Sequence, residues 1–199
     1  MLIASCTCAI DHSLMNRIHF LTRLLLLAAL GTLVSCSSSK TTNPPPTAAK
    51  VELDRYVGKW YEIARMPMPF QKDDEPAMAE YGKNSDGTVS VHNTALKPDG
   101  GKREIRGTAT VLNPGVNTKL AVRFNTWFGP LIPVPAEGNY WILHIDPGYT
   151  QAIVGTPSRN FLWILARSPK LSEPAYSALV AKAKSLGFAT ESLIRDNHR

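Results

Sequence analysis

From 58 to 167 the chain repeats one pattern: short stretches of alternating apolar and polar residues, separated by turn-forming residues. Alternation sends successive side chains to opposite faces of a strand. In Gly58-Lys59-Trp60-Tyr61-Glu62-Ile63-Ala64-Arg65 it sets Trp60, Glu62 and Ala64 on one face and Tyr61, Ile63 and Arg65 on the other. Met66-Pro67-Met68-Pro69-Phe70 cannot continue a paired central strand, because each proline lacks the amide that the ladder needs. Further strands are predicted over 77–83 and 88–96, joined by the hairpin signal Asn84-Ser85-Asp86-Gly87. In 102–112, Ile105, Gly107, Ala109 and Val111 alternate with Glu104, Arg106, Thr108 and Thr110. In 118–124, Leu120, Val122 and Phe124 alternate with Lys119, Ala121 and Arg123. Pro98-Asp99-Gly100-Gly101 and Asn113-Pro114-Gly115 supply the turns. The stretches 139–145, 151–155 and 161–167 follow, turned by Asp146-Pro147-Gly148 and Pro157-Ser158-Arg159-Asn160. Eight strands joined mostly by short antiparallel turns predict an all-β fold, an eight-stranded up-and-down antiparallel β-barrel.

Elsewhere the period changes. A short helical turn is expected at 54–57. Ser172-Glu173-Pro174 reads as the start of a helix, Tyr176, Leu179, Val180, Ala183 and Leu186 recur at helical spacing, and Gly187 is a stop. One amphipathic C-terminal α-helix is therefore expected to pack outside the barrel, followed by a strand or extended tail over 190–196. The connection 125–138 differs from the other turns. It carries Pro130, Pro133 and Pro135 among Trp127, Phe128, Leu131, Ile132 and Val134. Loops this long are often functional. Its prolines favour a stiff lid over the barrel mouth, with a foot on a membrane and a partner surface as the other readings.

The first 50 residues read as an address, not a fold. Arg17 and Arg23 precede an apolar run beginning at Leu24, too short to span a bilayer comfortably. Starting from Met15 would give this basic region a conventional length. The run ends in Leu33-Val34-Ser35-Cys36, which resembles a bacterial lipobox and implies lipid attachment at Cys36 with cleavage before it. Ser37, where an Asp would otherwise retain the product, resembles outer-membrane sorting. Residues 37–49 hold no apolar anchor for a core, and Pro44-Pro45-Pro46 extends them, so a flexible tether is expected. The expected division is a lipoprotein signal peptide over 1–35, a lipidated Cys and tether over 36–50, and a barrel domain over 51–199.

Composition narrows function by exclusion. Hydrophobic residues make up 44% and charged residues 19% of the 199, as in a globular domain. The net charge of +6 is spread along the chain, without a basic helix or aromatic-basic motif, which argues against nucleic acid as partner. Cys6, Cys8 and Cys36 are the three cysteines, so thiol catalysis and sulfur ligation are excluded from the barrel. Neither a Ser-His-Asp order nor a His cluster with ligand spacing is apparent, and no cofactor or metal is implied. His144 and Asp146 share a strand face, but end-of-barrel packing explains Asp146 better than a catalytic pair does.

Gly58-Lys59-Trp60, the turn with Asp146 and Tyr149, and Phe161-Leu162-Trp163-Ile164-Leu165-Ala166-Arg167-Ser168-Pro169 together resemble the lipocalins. The similarity is narrower to bacterial outer-membrane lipocalins related to apolipoprotein D, over about 53–195. The middle motif departs from the family's usual Thr-Asp-Tyr, since Asp146 is followed by Pro147 and the tyrosine comes at 149. An up-and-down strand count brings Gly58, Trp60, Asp146, Tyr149 and Arg167 to one closed end, with Arg167 over the Trp60 ring. The resemblance implies a binding protein, not an enzyme, located at the outer membrane, lipid-anchored and facing the periplasm. Its ligand would be a small amphiphile such as a fatty acid or lysophospholipid. Candidate ligand contacts are Met66, Phe70, Val91, Phe124, Trp127, Phe128, Tyr140 and Ile142, with Glu62, Arg123 and His92 as candidates for a headgroup. A filled, structural barrel and an enzyme on the same fold are the alternatives, and the oligomeric state is open to a homodimer.

Overall fold

The computed structural model describes residues 43–127, 129–131 and 133–198. A four-residue helix α1 (Leu53–Tyr56) leads into β1 (Gly58–Arg65), β2 (Ala77–Lys83), β3 (Val89–Leu96), β4 (Lys102–Val111) and β5 (Lys119–Phe124). Then come β6 (Tyr140–Ile145), β7 (Gln151–Gly155), β8 (Leu162–Ala166), helix α2 (Glu173–Ser185) and a two-residue strand β9 (Ile194–Arg195). Each of the eight long strands pairs antiparallel with its sequence neighbours, and β8 pairs with β1 to close the sheet. Closure removes the sheet edges that would otherwise expose unpaired amides. The predicted barrel and its strands are present, with ends shifted by a residue or two.

Alternation sorts side chains into two clusters. The inward set, centred on Trp60, Tyr81, Val91, Leu120, Ile142 and Leu165, lines the barrel interior. The outward set, Ile63, Trp141, Leu143, Ile153, Leu162 and Ile164 among them, meets Leu179, Ala183, Leu186 and Phe188. Ser172 caps α2 by accepting from the Ala175 amide at 3.4 Å, and Gly187 ends it at φ +86°. Fully burying side chains the size of Leu179 and Phe188 stabilises by about 1.5–3 kcal/mol each.

Two β-bulges change the parity expected from sequence. In β1 the register shifts between Glu62 and Ala64, so Glu62 faces Leu165 and Ala64 faces Ile164. The extra residue leaves Trp60, Glu62 and Arg65 on the inner face and puts Ile63 and Ala64 in the outer cluster. The simple alternation, which grouped Ala64 with Trp60 and sent Arg65 outward, fails at this point. The second bulge, between Ile142 and His144, follows Ile142 on the inner face and Leu143 on the outer one, and it brings Ile145 back against the inner cluster.

The described terminal segments close two seams where neighbouring strands splay. β5 and β6 pair over two positions, Lys119 with Trp141 and Leu120 with Tyr140. Beyond them the chain around 47–51 fills the gap. The Ala48 amide donates to the Ile142 carbonyl at 3.0 Å and the Val51 amide to the Val116 carbonyl at 2.8 Å. Asn117 Nδ2 donates to the Val51 carbonyl, and Thr118 pairs with Thr47. Val51 is fully buried, and Pro45 is among the largest fully buried side chains. From Asn43 onward the segment expected as a tether is therefore a strap packed on the barrel. The other seam lies between β1 and β2, which pair from Gly58 to Tyr61. Above that, β9 pairs with Ala64 and Arg65, the Asp196 amide donates to Ile63 O, and Asp196 Oδ2 accepts from the Ala77 amide.

Candidate functional site: the barrel interior

One end of the barrel is closed by a packed floor. The Trp60 ring is fully buried, and its indole Nε1 donates to the Tyr56 carbonyl at 2.7 Å. The Arg167 guanidinium lies 3.9 Å from the Trp60 ring centroid. It donates to the carbonyls of Arg55, Tyr56, Val57, Lys59 and Tyr149 at 2.8–3.2 Å. Gly58 has φ +95°, and a Cβ there would stand 3.3 Å from Arg167 Nη1, so this approach needs glycine twice over. Asp146 builds the adjoining turn by accepting from the amides of Gly148, Thr150 and Gln151 and from the Thr150 hydroxyl. Burial, the largest single influence, raises its carboxyl, but these donors together outweigh it and hold the group below its ordinary range. The turn carries Tyr149 at φ +56°, with its hydroxyl accepting from the Glu52 amide and its ring under Arg55. The five closed-end residues singled out in the sequence thus sit together.

Above the floor stand three tyrosines. Tyr56 stacks on Tyr81 and Tyr81 meets Tyr140 edge-on, at centroid distances of 5.8 and 6.0 Å. Their hydroxyls form a chain: Tyr56 to Tyr140 at 2.7 Å, then Tyr140 donating to Tyr81 at 3.0 Å. Burial, the largest cause, pushes all three phenols up, Tyr81 to about 12. They stay protonated at neutral pH and supply hydroxyl dipoles, not a base. The walls around them are apolar: Val91, Val122, Ile142 and Val154 are buried, and Phe124 packs partly buried against them. Gly107 faces inward from β4, and a Cβ there would meet the Arg123 carbonyl at 2.5 Å and the Phe124 ring at 3.0 Å.

A charged cluster lies where β1 approaches the mouth. Arg65 is fully buried, its Nε 3.1 Å from Glu62 Oε1 and its Nη1 3.5 Å from Asp73. Its Nη2 donates to the Lys72 carbonyl at 2.6 Å, and Gln71 Nε2 donates to Glu62 at 2.8 Å. Burial first, then the charge of Asp196, raises the Glu62 carboxyl well above its usual range, against the pull of Arg65. Burial likewise raises Asp196. One buried guanidinium balances one carboxylate, so two carboxyls beside it favour sharing a proton.

Of the candidate ligand contacts, Val91, Tyr140 and Ile142 belong to the inward set, with Phe124 packed beside them. Phe70 sits at the open rim, 59% exposed, with its ring 5.4 Å from Phe161. Met66 packs against the outer cluster, because the β1 bulge turns it away from the interior. Trp127 and Leu131 in the 125–138 loop are 88% and 77% exposed, while Val134 is half-buried. Phe128 and Cys36 lie outside the described residues. Among the headgroup candidates Glu62 is inward, while Arg123 and His92 share parity with the outer face of β5 and β3. Sequence reading missed Tyr56, Tyr81 and Arg65 as interior groups. The alternation of Ala77, Ala79 and Tyr81 was a usable signal for Tyr81, whereas Arg65 depends on a bulge without a sequence signature.

A family model for the lipocalin-like domain matches residues 51–198. The chain is 40% identical to temperature-induced lipocalin-1 of Arabidopsis thaliana, over 72% of this chain and 77% of that protein. It is 33% identical to outer membrane lipoprotein Blc of Escherichia coli K12, over 86% and 96% of the two chains. It is 34% identical to bovine apolipoprotein D over 74% and 80%. Among solved structures, insecticyanin of the tobacco hornworm superposes with a TM-score of 0.57 at 19% identity, over 79% of this chain and 85% of that one, a likeness of fold. Matched over its whole described barrel, and by an outer membrane lipoprotein that it covers almost end to end, the chain belongs to the lipocalin-like family.

Proposed function

We propose that the barrel binds one small amphiphile with an acyl chain, a fatty acid or lysophospholipid, and carries or stores it in the cell envelope. The observation that carries this reading is the interior itself, with apolar walls at Val91, Val122, Ile142 and Val154 above a floor sealed by Trp60 and Arg167. An eight-stranded barrel has room for one small ligand. About ten methylenes at about 0.8 kcal/mol each give a gross gain of about 8 kcal/mol, against which the costs of immobilising and ordering the chain are set. Binding, not catalysis, suits tyrosines that remain protonated and walls without a nucleophile. The likeness to an outer membrane lipoprotein supports location at the outer membrane. Lipid attachment at Cys36, after removal of 1–35, and a periplasmic orientation complete the proposal. The test is native mass spectrometry of the chain purified from membranes, paired with displacement of a fluorescent fatty acid. A co-purifying acyl species and saturable displacement are expected. A ligand-free chain that displaces nothing overturns the reading in favour of a filled, structural barrel.

A further inference from the structure

The strap that closes the β5–β6 seam also fixes where the anchoring segment leaves the domain. Its path runs from Val51, bonded to Val116 in the closed-end turn, past Ala48 on β6. It reaches Asn43, whose carbonyl accepts from Arg159 Nη1 at 2.9 Å. Arg159 belongs to the β7–β8 turn, which is at the open end, and its Nε is tied to the Leu186 carbonyl at 2.8 Å. The chain therefore exits beside the mouth, not the floor.

The same end presents large apolar side chains to solvent. Phe70 in the β1–β2 connection and Trp127 and Leu131 in the β5–β6 connection are 59%, 88% and 77% exposed. The stretch 125–136 holds no charged residue, unusual for a loop this exposed. Seven positions separate Asn43 from Cys36, and seven residues stretched fully reach about 25 Å. Eight-residue strands, tilted by about 40° to the axis, make a barrel wall about 20 Å tall before its turns are added. An anchor at Cys36 would let the closed end touch a bilayer only with those residues close to fully extended. At the open end it leaves slack.

We propose that the open end of the barrel rests on the lipid bilayer, with Phe70, Trp127 and Leu131 seated in the interfacial region. This rests on the reading of Cys36 as the lipid-bearing residue. The partner is the bilayer surface itself, recognised by apolar burial, since an uncharged loop adds no headgroup attraction. Exposed aromatic rings are suited to the interface, where one edge stays wet. An acyl ligand then enters the barrel from the membrane without crossing bulk water.

The experiment uses the full chain on vesicles of phosphatidylethanolamine and phosphatidylglycerol with brominated acyl chains, read by tryptophan fluorescence, with intact mass reporting acylation. Trp60 and Trp141 are buried, and Trp163, half-buried beside Phe161, is the same in both chains, so the difference made by Trp127→Phe reads Trp127. Lipid quenching is expected to fall at least twofold in Trp127→Phe. A tryptophan at the closed-end turn, Val116→Trp in the Trp127→Phe chain, is expected to add none. Quenching unchanged by Trp127→Phe, or strong quenching of the Val116→Trp probe, overturns the orientation. A chain without acyl at Cys36 defeats the anchoring reading alone. The same measurement with vesicles in excess then decides the rim contact, which stands if Trp127 is quenched and falls if it is not.

Discussion

Removing the Arg167 guanidinium should loosen the barrel floor by an amount that can be worked from its contacts. The cation over Trp60, at 3.9 Å, contributes about 1 kcal/mol. Five carbonyls accept from the guanidinium, but they are not equivalent. Those of Arg55 and Lys59 make exposed bonds, so water replaces the guanidinium there at little cost. The Tyr56 carbonyl keeps the Trp60 indole as donor. The Val57 and Tyr149 carbonyls are part-buried and lose this partner, at about 1–2 kcal/mol each. Arg167→Ala should therefore cost about 3–5 kcal/mol. Arg167→Lys keeps the charge but cannot span the fork of carbonyls, and should still cost about 2–3 kcal/mol. Urea unfolding followed by tryptophan fluorescence measures both, with the slope of the transition checked for two-state behaviour. If Arg167→Lys matches the unaltered chain within about 0.5 kcal/mol, the charge alone suffices and the forked geometry contributes nothing. If Arg167→Ala costs less than about 1 kcal/mol, the floor does not depend on this clamp.

Three further outcomes are expected. Trp60→Ala should cost about 3–5 kcal/mol in the same unfolding assay while the folded fraction keeps its ligand preference, because the ring seals the floor below the binding volume; a changed preference at full stability would contradict that. Gly107→Ala should lower stability by about 1–3 kcal/mol, since its Cβ would meet the Arg123 carbonyl and the Phe124 ring, and an unchanged melting temperature would show that β5 gives way freely. The third concerns pH. Glu62 and Asp196 have folded-state pKa values raised above their unfolded ones, so from about pH 4 upward the folded chain holds more protons than the unfolded one, and stability falls as pH rises through that window. Asp196→Asn keeps an oxygen for the Ala77 amide and removes one charge, so it should flatten that decline in urea unfolding between pH 5 and 8; an unaltered slope would locate the dependence elsewhere.

Much of the architecture was legible in the chain because period-two alternation and turn chemistry are local. Each strand announces its faces through its own residues, and Asn84-Ser85-Asp86-Gly87 or Asp146-Pro147-Gly148 ends it without reference to distant parts. Counting turns then brought Gly58, Trp60, Tyr149 and Arg167 to one end, and the guanidinium does lie over the indole. The walls of the site followed from parity for Val91, Phe124 and Ile142. Parity failed where a bulge intervened. Met66 left the interior and Arg65 entered it because one extra residue in β1 reverses every face beyond it.

Sequence by itself determined the strand count, the closed end, the outer helix and the apolar character of the long loop. Those properties depend on residue type and short-range spacing. Tertiary structure decided what depends on how strands meet. The splay of β5 from β6 and of β1 from β2 leaves amides and carbonyls that need partners, and a buried unpaired backbone group is costly. The segment before the barrel and the tail after α2 supply those partners, through Ala48 and Val51 at one seam and Asp196 at the other. Nothing local in Thr47-Ala48-Ala49 or Arg195-Asp196-Asn197 marks either as a piece of the barrel. Their place is set by gaps that exist once the sheet has closed and twisted.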